Sequence, residues 1–308
     1  MLLTPIFTFE TYRPYLFSIE IPVMNITLEP RFYGVFYAIS ILLGYRVLLS
    51  ESRRRHLPLD EDQAMNCTLL IFLGGLLGGR AYEVIFEWSN HYAYQPWWEV
   101  FAIWHGGLAI HGGILGGTFA FFLYAKARNL RFLEMTDIGA MCIILGQAVG
   151  RWGNLTNGEA AGPVTDSPLG IVFPPGSPTY VYAQGQPVHP TMLYESLGNF
   201  IIFFILWKVR LRNFRPGMLL ALHFILYSGF RMALTPLRMD NQYFSLFEGK
   251  ILAPYATGGA LIVTGILLIW KGQLWEQEPI PSIPNESAAL ASSSKKTRRS
   301  SRKHSQKK

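Results

Sequence analysis

Three arginines lie at the edge of apolar stretches of the sequence. They are Arg80, Arg151 and Arg231. Each lies at or just inside the end of a different predicted membrane-spanning segment, and these three ends are on the same side of the membrane. A lone cation at that depth costs on the order of 3 kcal/mol, so three of them indicate an anion that they hold jointly. Because a guanidinium offers paired donors to a phosphate, the sequence predicts a site for a phosphate head group.

His111 is a candidate general base. It stands within a glycine-rich run, HGGLAIHGGILGG at 105–117, and an imidazole can accept a proton from an incoming nucleophile near neutral pH. The alternative is a histidine that only satisfies a hydrogen bond between helices. The glycines of this run, and of GGLLGGR at 74–80, predict close helix packing.

Further polar side chains cluster at the end of the apolar stretch that precedes Arg151. The segment GRWGNLTNGEAAG at 150–162 brings four of them together, namely Arg151, Asn154, Asn157 and Glu159. If this segment is helical, the Arg-x-x-Asn spacing puts a cation and an amide on one face. Glu195 falls one turn inside the next apolar stretch and needs a cationic or hydrogen-bonding partner.

The composition indicates an integral membrane protein. Half of the 308 residues are hydrophobic and 15% are charged, against about 25% charged in an average globular chain. Stretches near the roughly 20 residues that span a bilayer recur as Phe32–Ser50, Ala64–Ile85, Gly106–Ala125, Met135–Gly150, Thr191–Trp207, Gly217–Leu234 and Ile251–Trp270. They lack the alternation of barrel strands, so we expect an all-α membrane protein of about seven transmembrane helices, with six or eight as alternatives.

The basic residues predict the orientation. Of the 27 lysines and arginines, 20 fall in alternate loops and in the C-terminal tail, and such residues favour the cytoplasm. We therefore expect the N-terminus outside and the C-terminus inside. The predicted divisions are an external segment (1–31), a seven-helix catalytic domain (32–275) and a disordered basic cytoplasmic tail (276–308). The tail either binds anionic head groups or is simply solvated.

The chain resembles the bacterial prolipoprotein diacylglyceryl transferases. The resemblance runs from about Ile19 to Trp270. It depends on six motifs in order: FYG at 32–34, GGR at 78–80, GGLAIHGG at 106–113, GRWGNLTNGE at 150–159, HPTMLYE at 189–195 and YSGFR at 227–231. The Gly-Arg-x-x-Asn-x-x-Asn-Gly-Glu segment is the signature of that family.

The resemblance implies an activity and its partners. The family transfers a diacylglyceryl group from phosphatidylglycerol to the thiol of a lipobox cysteine in a prolipoprotein signal peptide, which forms a thioether and releases glycerol 1-phosphate. It implies a multi-pass protein of the bacterial inner (plasma) membrane, surrounded by membrane lipids. We expect no cofactor, metal or nucleic acid, because the sequence shows no metal-binding cluster and its basic residues follow the loops. Cys67 and Cys142 lie in apolar stretches and are expected to be packing residues.

The resemblance, together with the charges of Arg80, Glu195 and Arg238, indicates the roles of individual residues. His111, Arg151 and Arg231 are the expected catalytic residues. The expected substrate-binding residues are Tyr33, Arg80, Arg151, Asn154, Asn157, Glu159, Glu195, Tyr227 and Arg238.

The sequence departs from the family pattern at one of these motifs. Thr235 stands where the family usually has a glutamate four residues after its arginine. Either Asp240 or Glu248 substitutes for the missing carboxylate, or the activity is altered.

Two other functions fit the composition. A phospholipid transporter fits the charged, glycine-rich helices, but we find no inverted repeat. An acyltransferase is less favoured, because the sequence has no His-x-x-x-x-Asp motif.

Overall fold

The computed structural model describes residues 7–8, 11–21, 26–103, 106–239, 243–246 and 249–278. Within these residues the α-helices are α1 (Phe32–Arg54), α2 (Glu61–Phe86), α3 (Ile110–Ala127), α4 (Phe132–Thr156), α5 (Pro178–Ala183), α6 (Thr191–Val209), α7 (Met218–Leu234) and α8 (Ala253–Gly272). The short strands are β1 (Phe7–Thr8), β2 (Ile19–Ile21), β3 (Ile26–Leu28), β4 (Ile171–Val172), β5 (Tyr243–Leu246) and β6 (Gly249–Leu252). They form three two-stranded pairs: β1 with β4 in parallel, and β2 with β3 and β5 with β6 antiparallel.

Six helices in the described part of the chain are long and apolar enough to cross a membrane: α1, α2, α4, α6, α7 and α8. The expected all-α membrane architecture is therefore confirmed. The remaining predicted segment, 106–125, forms α3, an 18-residue helix. Its four glycines, histidine and lysine lower its mean hydropathy. Large apolar side chains on the outer surface, such as Leu77, Leu115 and Phe204, are 60–70% exposed, as is typical of helices that face lipid. The count of seven and the orientation stay predictions.

Local residue chemistry explains where several helices begin. Asp60 and Gln63 form a reciprocal capping box at the start of α2. The third helix begins at Ile110, four residues later than predicted, because Gly106 and Gly107 adopt φ angles of +92° and +72°, which are incompatible with an α-helix. Gly217 likewise precedes α7 with φ +103°.

Glycines bring α2 and α3 into backbone contact, which agrees with the close helix packing that the sequence predicts. A Cβ atom on Gly78 would lie 2.4 Å from the carbonyl oxygen of Gly112, and one on Gly116 would lie 2.2 Å from that of Gly74. The order of these contacts shows that the two helices run antiparallel. Small residues permit this approach, which gives van der Waals packing that larger side chains would prevent.

The core lies mainly where α1, α4 and α6 meet. Met135, Ile138, Met141 and Ile144 of α4 are at most 1% exposed, as is Leu206 of α6. These side chains belong to one continuous apolar cluster. The same helix, α4, therefore anchors the bundle and, at its other end, carries the signature segment.

The predicted cytoplasmic loops meet at one end of the bundle. Glu51 of α1 is fully buried and accepts hydrogen bonds from Arg54 (2.8–3.0 Å), Arg55 (3.1 Å) and Arg210 (2.7 Å). Arg54 also donates to the side chain of Asn213 (2.8 Å). A buried carboxylate needs such partners, so this cluster ties α1 to the α6–α7 loop.

The chain after α8 is bound at this same end. Glu276 pairs with Arg215 at 2.5 Å and Glu278 pairs with Arg131 at 2.8 Å. The hydrogen bonds from Arg131 lower the pKa of the Glu278 carboxyl. The first three residues of the predicted tail thus lie against the helix ends, while residues 279–308 are outside the described part.

Candidate active site

The end of α4 positions the first two polar residues of the signature. The helix continues to Thr156, so Arg151 and Asn154 occupy one face at the i, i+3 spacing. The Arg151 guanidinium donates from Nη1 to Oδ1 of Asn154 at 3.0 Å. The two side chains thus share one helix face, as the spacing predicts, and the contact between them fixes the direction of the guanidinium.

Glu195, at the beginning of α6, joins two arginines. The residue is 3% exposed, and its Oε2 atom lies 2.6 Å from Nη2 of Arg151. Its Oε1 atom accepts a hydrogen bond from Nη1 of Arg238, which lies beyond the end of α7. A buried carboxylate is stable only with such partners, so Glu195 holds α4, α6 and the chain after α7 together.

Glu159 forms a second acidic contact beside Arg151. Its Oε1 atom accepts hydrogen bonds from the side-chain amides of Asn154 (3.0 Å) and Asn157 (3.3 Å). The hydroxyl of Tyr12 donates to the backbone carbonyl of Asn157 at 3.2 Å. The predicted external segment therefore packs against the signature turn.

The end of α7 contributes Tyr227, Arg231 and Thr235 along one helix face. Tyr227 lies within electrostatic range of Arg151, Glu195, Arg231 and Arg238. The buried hydroxyl of Thr235 donates to the backbone carbonyl of Arg231 at 2.9 Å and lies 3.5 Å from its Nη1 atom. Thr235 therefore occupies, with a neutral group, the position beside Arg231 where the family usually has a carboxylate. The two expected substitutes, Asp240 and Glu248, lie outside the described residues.

Tyr33, in the first turn of α1, packs directly against the signature helix. A Cβ atom on Gly153 would lie 2.4 Å from Cδ2 of Tyr33, so only glycine permits this contact. Tyr33 lies within electrostatic range of Glu159 and Arg151. Its half-buried hydroxyl therefore belongs to the same group of polar side chains.

Arg80 has a different environment from the one that its sequence position predicts. Its guanidinium donates to the carbonyl oxygens of Val100 (2.9 Å), Gly106 (2.6 Å) and Gly107 (3.0 Å), and to that of Glu99. These bonds use all three guanidinium nitrogens. Arg80 therefore secures the α2–α3 loop, and its expected role in binding the head group with Arg151 and Arg231 stays a prediction.

His111 lies in the first turn of α3 and its side chain is exposed. Its ring centroid is 6.0 Å from that of Tyr82 on α2. Tyr82 belongs to the α2–α3 pair, so this contact lies outside the group of ion pairs around Glu195. A nucleophile could therefore reach His111 from solvent or lipid, and its role as a base stays a prediction.

Ser196 supports the site and was missed from the sequence. Its hydroxyl donates to the carbonyl of Ala148 (2.8 Å) and accepts from the Trp152 indole (3.1 Å), which fastens α6 to α4 beside Arg151 and Glu195. Its position next to Glu195 in the sequence could have marked it as a residue that supports the site. For Tyr12, which lies 145 residues from its partner, no signal was available.

Comparisons with known proteins show which family the chain belongs to. The family model described as prolipoprotein diacylglyceryl transferase matches residues 21–271. The chain belongs to this family. The resemblance inferred from the six motifs is thereby confirmed, and the family together with the six apolar helices indicates a multi-pass membrane protein.

Curated relatives cover most of the chain. A protein of Halalkalibacterium halodurans is 38% identical over 240 residues, which are 77% of this chain and 80% of the relative. A protein of Synechococcus elongatus is 38% identical over 79% of this chain and 84% of the relative. A protein of Gloeobacter violaceus is 36% identical over 78% of this chain and 87% of the relative. All three are named phosphatidylglycerol–prolipoprotein diacylglyceryl transferase.

Proposed function

We propose that this chain transfers the diacylglyceryl group of phosphatidylglycerol to the thiol of a lipobox cysteine in a prolipoprotein, within the bacterial inner membrane. The family and the names of its relatives support the two substrates. The observation that carries the proposal is the buried carboxylate of Glu195, which binds Arg151 and Arg238 close to Tyr227 and Arg231.

The charges of this group suit a phosphodiester. Arg151, Arg231 and Arg238 bring three positive charges, and Glu159 and Glu195 bring two negative ones, which leaves one positive charge in excess. A phosphodiester carries one negative charge and would neutralise that excess. The guanidinium groups of Arg151 and Arg231 then hold the phosphate, while Asn154 fixes the orientation of Arg151.

The reaction requires one bond to form and one to break. The cysteine sulfur attacks the glyceryl carbon that bears the phosphate ester, so a carbon–sulfur bond forms and the carbon–oxygen bond to phosphate breaks. The electron pair of that bond leaves with glycerol 1-phosphate, and the thiol proton passes to a base. Positive side chains beside the phosphate stabilise the charge that develops on the leaving oxygen.

The roles of four further residues complete the proposal. Tyr33 and Tyr227 supply hydroxyl donors beside the phosphate, and Asn157 supports Glu159. His111 accepts the thiol proton or else positions the thiol; the loss of one limb of the pH profile in a His111 variant distinguishes these two roles.

Purified protein in bilayers that contain phosphatidylglycerol tests the proposal directly. A lipobox peptide is added, and mass spectrometry measures the gain of a diacylglyceryl group on its cysteine, with phosphatidylethanolamine bilayers as the comparison. We expect thioether product only with phosphatidylglycerol. Binding of that lipid without peptide modification would instead support a transporter and overturn the proposal.

Conservative variants test the assigned residues. Arg151→Lys and Arg231→Lys keep the charge but lose the paired donors, so we expect at least a hundredfold loss of turnover. Arg53→Lys is the matched control, because its side chain is 64% exposed at the opposite end of the bundle, and we expect normal turnover. Full activity of both site variants would show that these arginines do not hold the phosphate.

A further inference from the structure

His223 lies one helical turn deeper in the bundle than Tyr227, on the same face of α7. The two rings are parallel, with an interplanar angle of 1° and a centroid separation of 5.6 Å. Side chains on a helix lean toward its N-terminus, so a tyrosine lies over the residue four positions earlier. His223 therefore provides the flat surface against which the Tyr227 ring rests.

The histidine ring has no evident polar function. It is 6% exposed, and its Nδ1 atom has no hydrogen-bond partner among the described residues. Burying a polar group without a partner costs free energy, so an apolar ring would be at least as stable here. Its ring contacts are a tilted one with Phe224, at a centroid separation of 6.2 Å, and the parallel one with Tyr227. The parallel contact is the one that can support the neighbouring ring face to face.

We propose that His223 is a positioning residue, which holds the Tyr227 ring so that its hydroxyl reaches the group formed by Arg151, Glu195, Arg231 and Arg238. This inference rests on the proposed function, in which Tyr227 donates to the phosphate. Displacement of a catalytic group by about 1 Å can reduce a rate about a hundredfold. Loss of the flat surface therefore affects turnover through the tyrosine.

Three substitutions at this position separate ring shape from nitrogen chemistry. His223→Phe keeps a flat ring and removes the nitrogens, and we expect turnover within about threefold of the wild type and an unchanged pH profile. His223→Ala removes the surface, and we expect kcat to fall ten- to a hundredfold with a smaller change in KM. His223→Leu keeps most of the side-chain volume but has no flat ring, and we expect its kcat to lie between those of the other two variants. It replaces the alanine variant if that variant does not fold.

A matched control and a double variant complete the experiment. Ile225→Ala creates a cavity on the face of α7 that packs against Gly265 of α8, and we expect reduced stability with normal kcat. Because His223 acts through the tyrosine hydroxyl, adding His223→Ala to Tyr227→Phe should cause little further loss. Diacylglyceryl transfer to the lipobox peptide is the readout throughout.

The results overturn the inference in three ways. If His223→Phe loses as much activity as His223→Ala, a nitrogen atom and not the ring surface is required. If His223→Ala and His223→Leu keep normal kcat, the stacking does not position the tyrosine. If the losses add in the double variant, His223 does not act through Tyr227. A wild-type protein that makes no thioether product would contradict the proposed function itself.

Discussion

Replacing Glu195 by glutamine should destabilise the protein as well as inactivate it. The change keeps the side-chain volume and one carbonyl oxygen but removes the charge that binds Arg151 and Arg238. Breaking a buried ion pair from one side typically costs about 3–5 kcal/mol, because the remaining charge is buried without compensation. Since the glutamine oxygen still accepts one hydrogen bond, we expect about 3 kcal/mol.

The penalty should fall mainly on Arg238. Its side chain is 6% exposed, whereas that of Arg151 is 23% exposed and also donates to Asn154. The Arg238→Gln variant therefore loses much of the same interaction as Glu195→Gln. In the double variant we expect the two losses to fall short of additivity by about 1–3 kcal/mol, as for residues in direct contact.

Denaturant unfolding in detergent, followed by tryptophan fluorescence, measures these changes. The matched control is Glu276→Gln, which removes an ion pair with Arg215 whose side chains are 42–43% exposed. Such surface pairs contribute about 0–1 kcal/mol, so the control should unfold almost like the wild type. If Glu195→Gln matched Glu276→Gln in stability and kept its activity, the argument from burial would be refuted.

Three other substitutions test separate parts of the structure. Gly78→Ala forces a Cβ atom to 2.4 Å from a carbonyl oxygen of α3 and should lower the free energy of unfolding by about 1–3 kcal/mol. Gly259→Ala on α8, with nothing within 4 Å, should not. Thr235→Val removes the hydroxyl beside Arg231 at nearly constant volume, and we expect a several-fold loss of kcat in the lipobox-peptide assay; an unchanged kcat would exclude an orienting role for that hydroxyl. His111→Gln should reduce the rate about a hundredfold or more and remove one limb of the pH profile if His111 is the base, and an unchanged profile would exclude that role.

Much of the architecture is predictable from local sequence. Apolar stretches near the span of a bilayer predicted the helices, and the glycine-rich runs predicted close helix packing, because both depend on properties that repeat along one helix. Which two helices would meet was not predicted. The helical bounds shifted only where backbone geometry intervened, as at Gly106 and Gly107, whose positive φ angles delay α3. The Arg151–Asn154 pair was also predictable, since both residues share one helix face.

The rest of the site depends on contacts between distant segments. Glu195 needed a cation, but sequence alone could not choose Arg238, 43 residues away. Arg80 matched the other arginines in membrane depth, and only the fold shows that loop carbonyls satisfy it. His223 gave no signal, because an isolated histidine in an apolar helix is interpretable only once its neighbour Tyr227 is placed.

Under the proposed function, the acidic residues of the site explain how the arginines can both assemble and catalyse. Without Glu159 and Glu195, three guanidinium groups in a low-dielectric region would repel one another. With them, one positive charge remains in excess, which matches the single charge of a phosphodiester. As the carbon–oxygen bond breaks, the leaving phosphate monoester develops a second negative charge, and the same arginines then interact more strongly with the transition state than with the substrate. Binding that strengthens along the reaction in this way lowers the activation barrier. A cluster that carboxylates neutralised completely would stabilise the second negative charge of the leaving phosphate less.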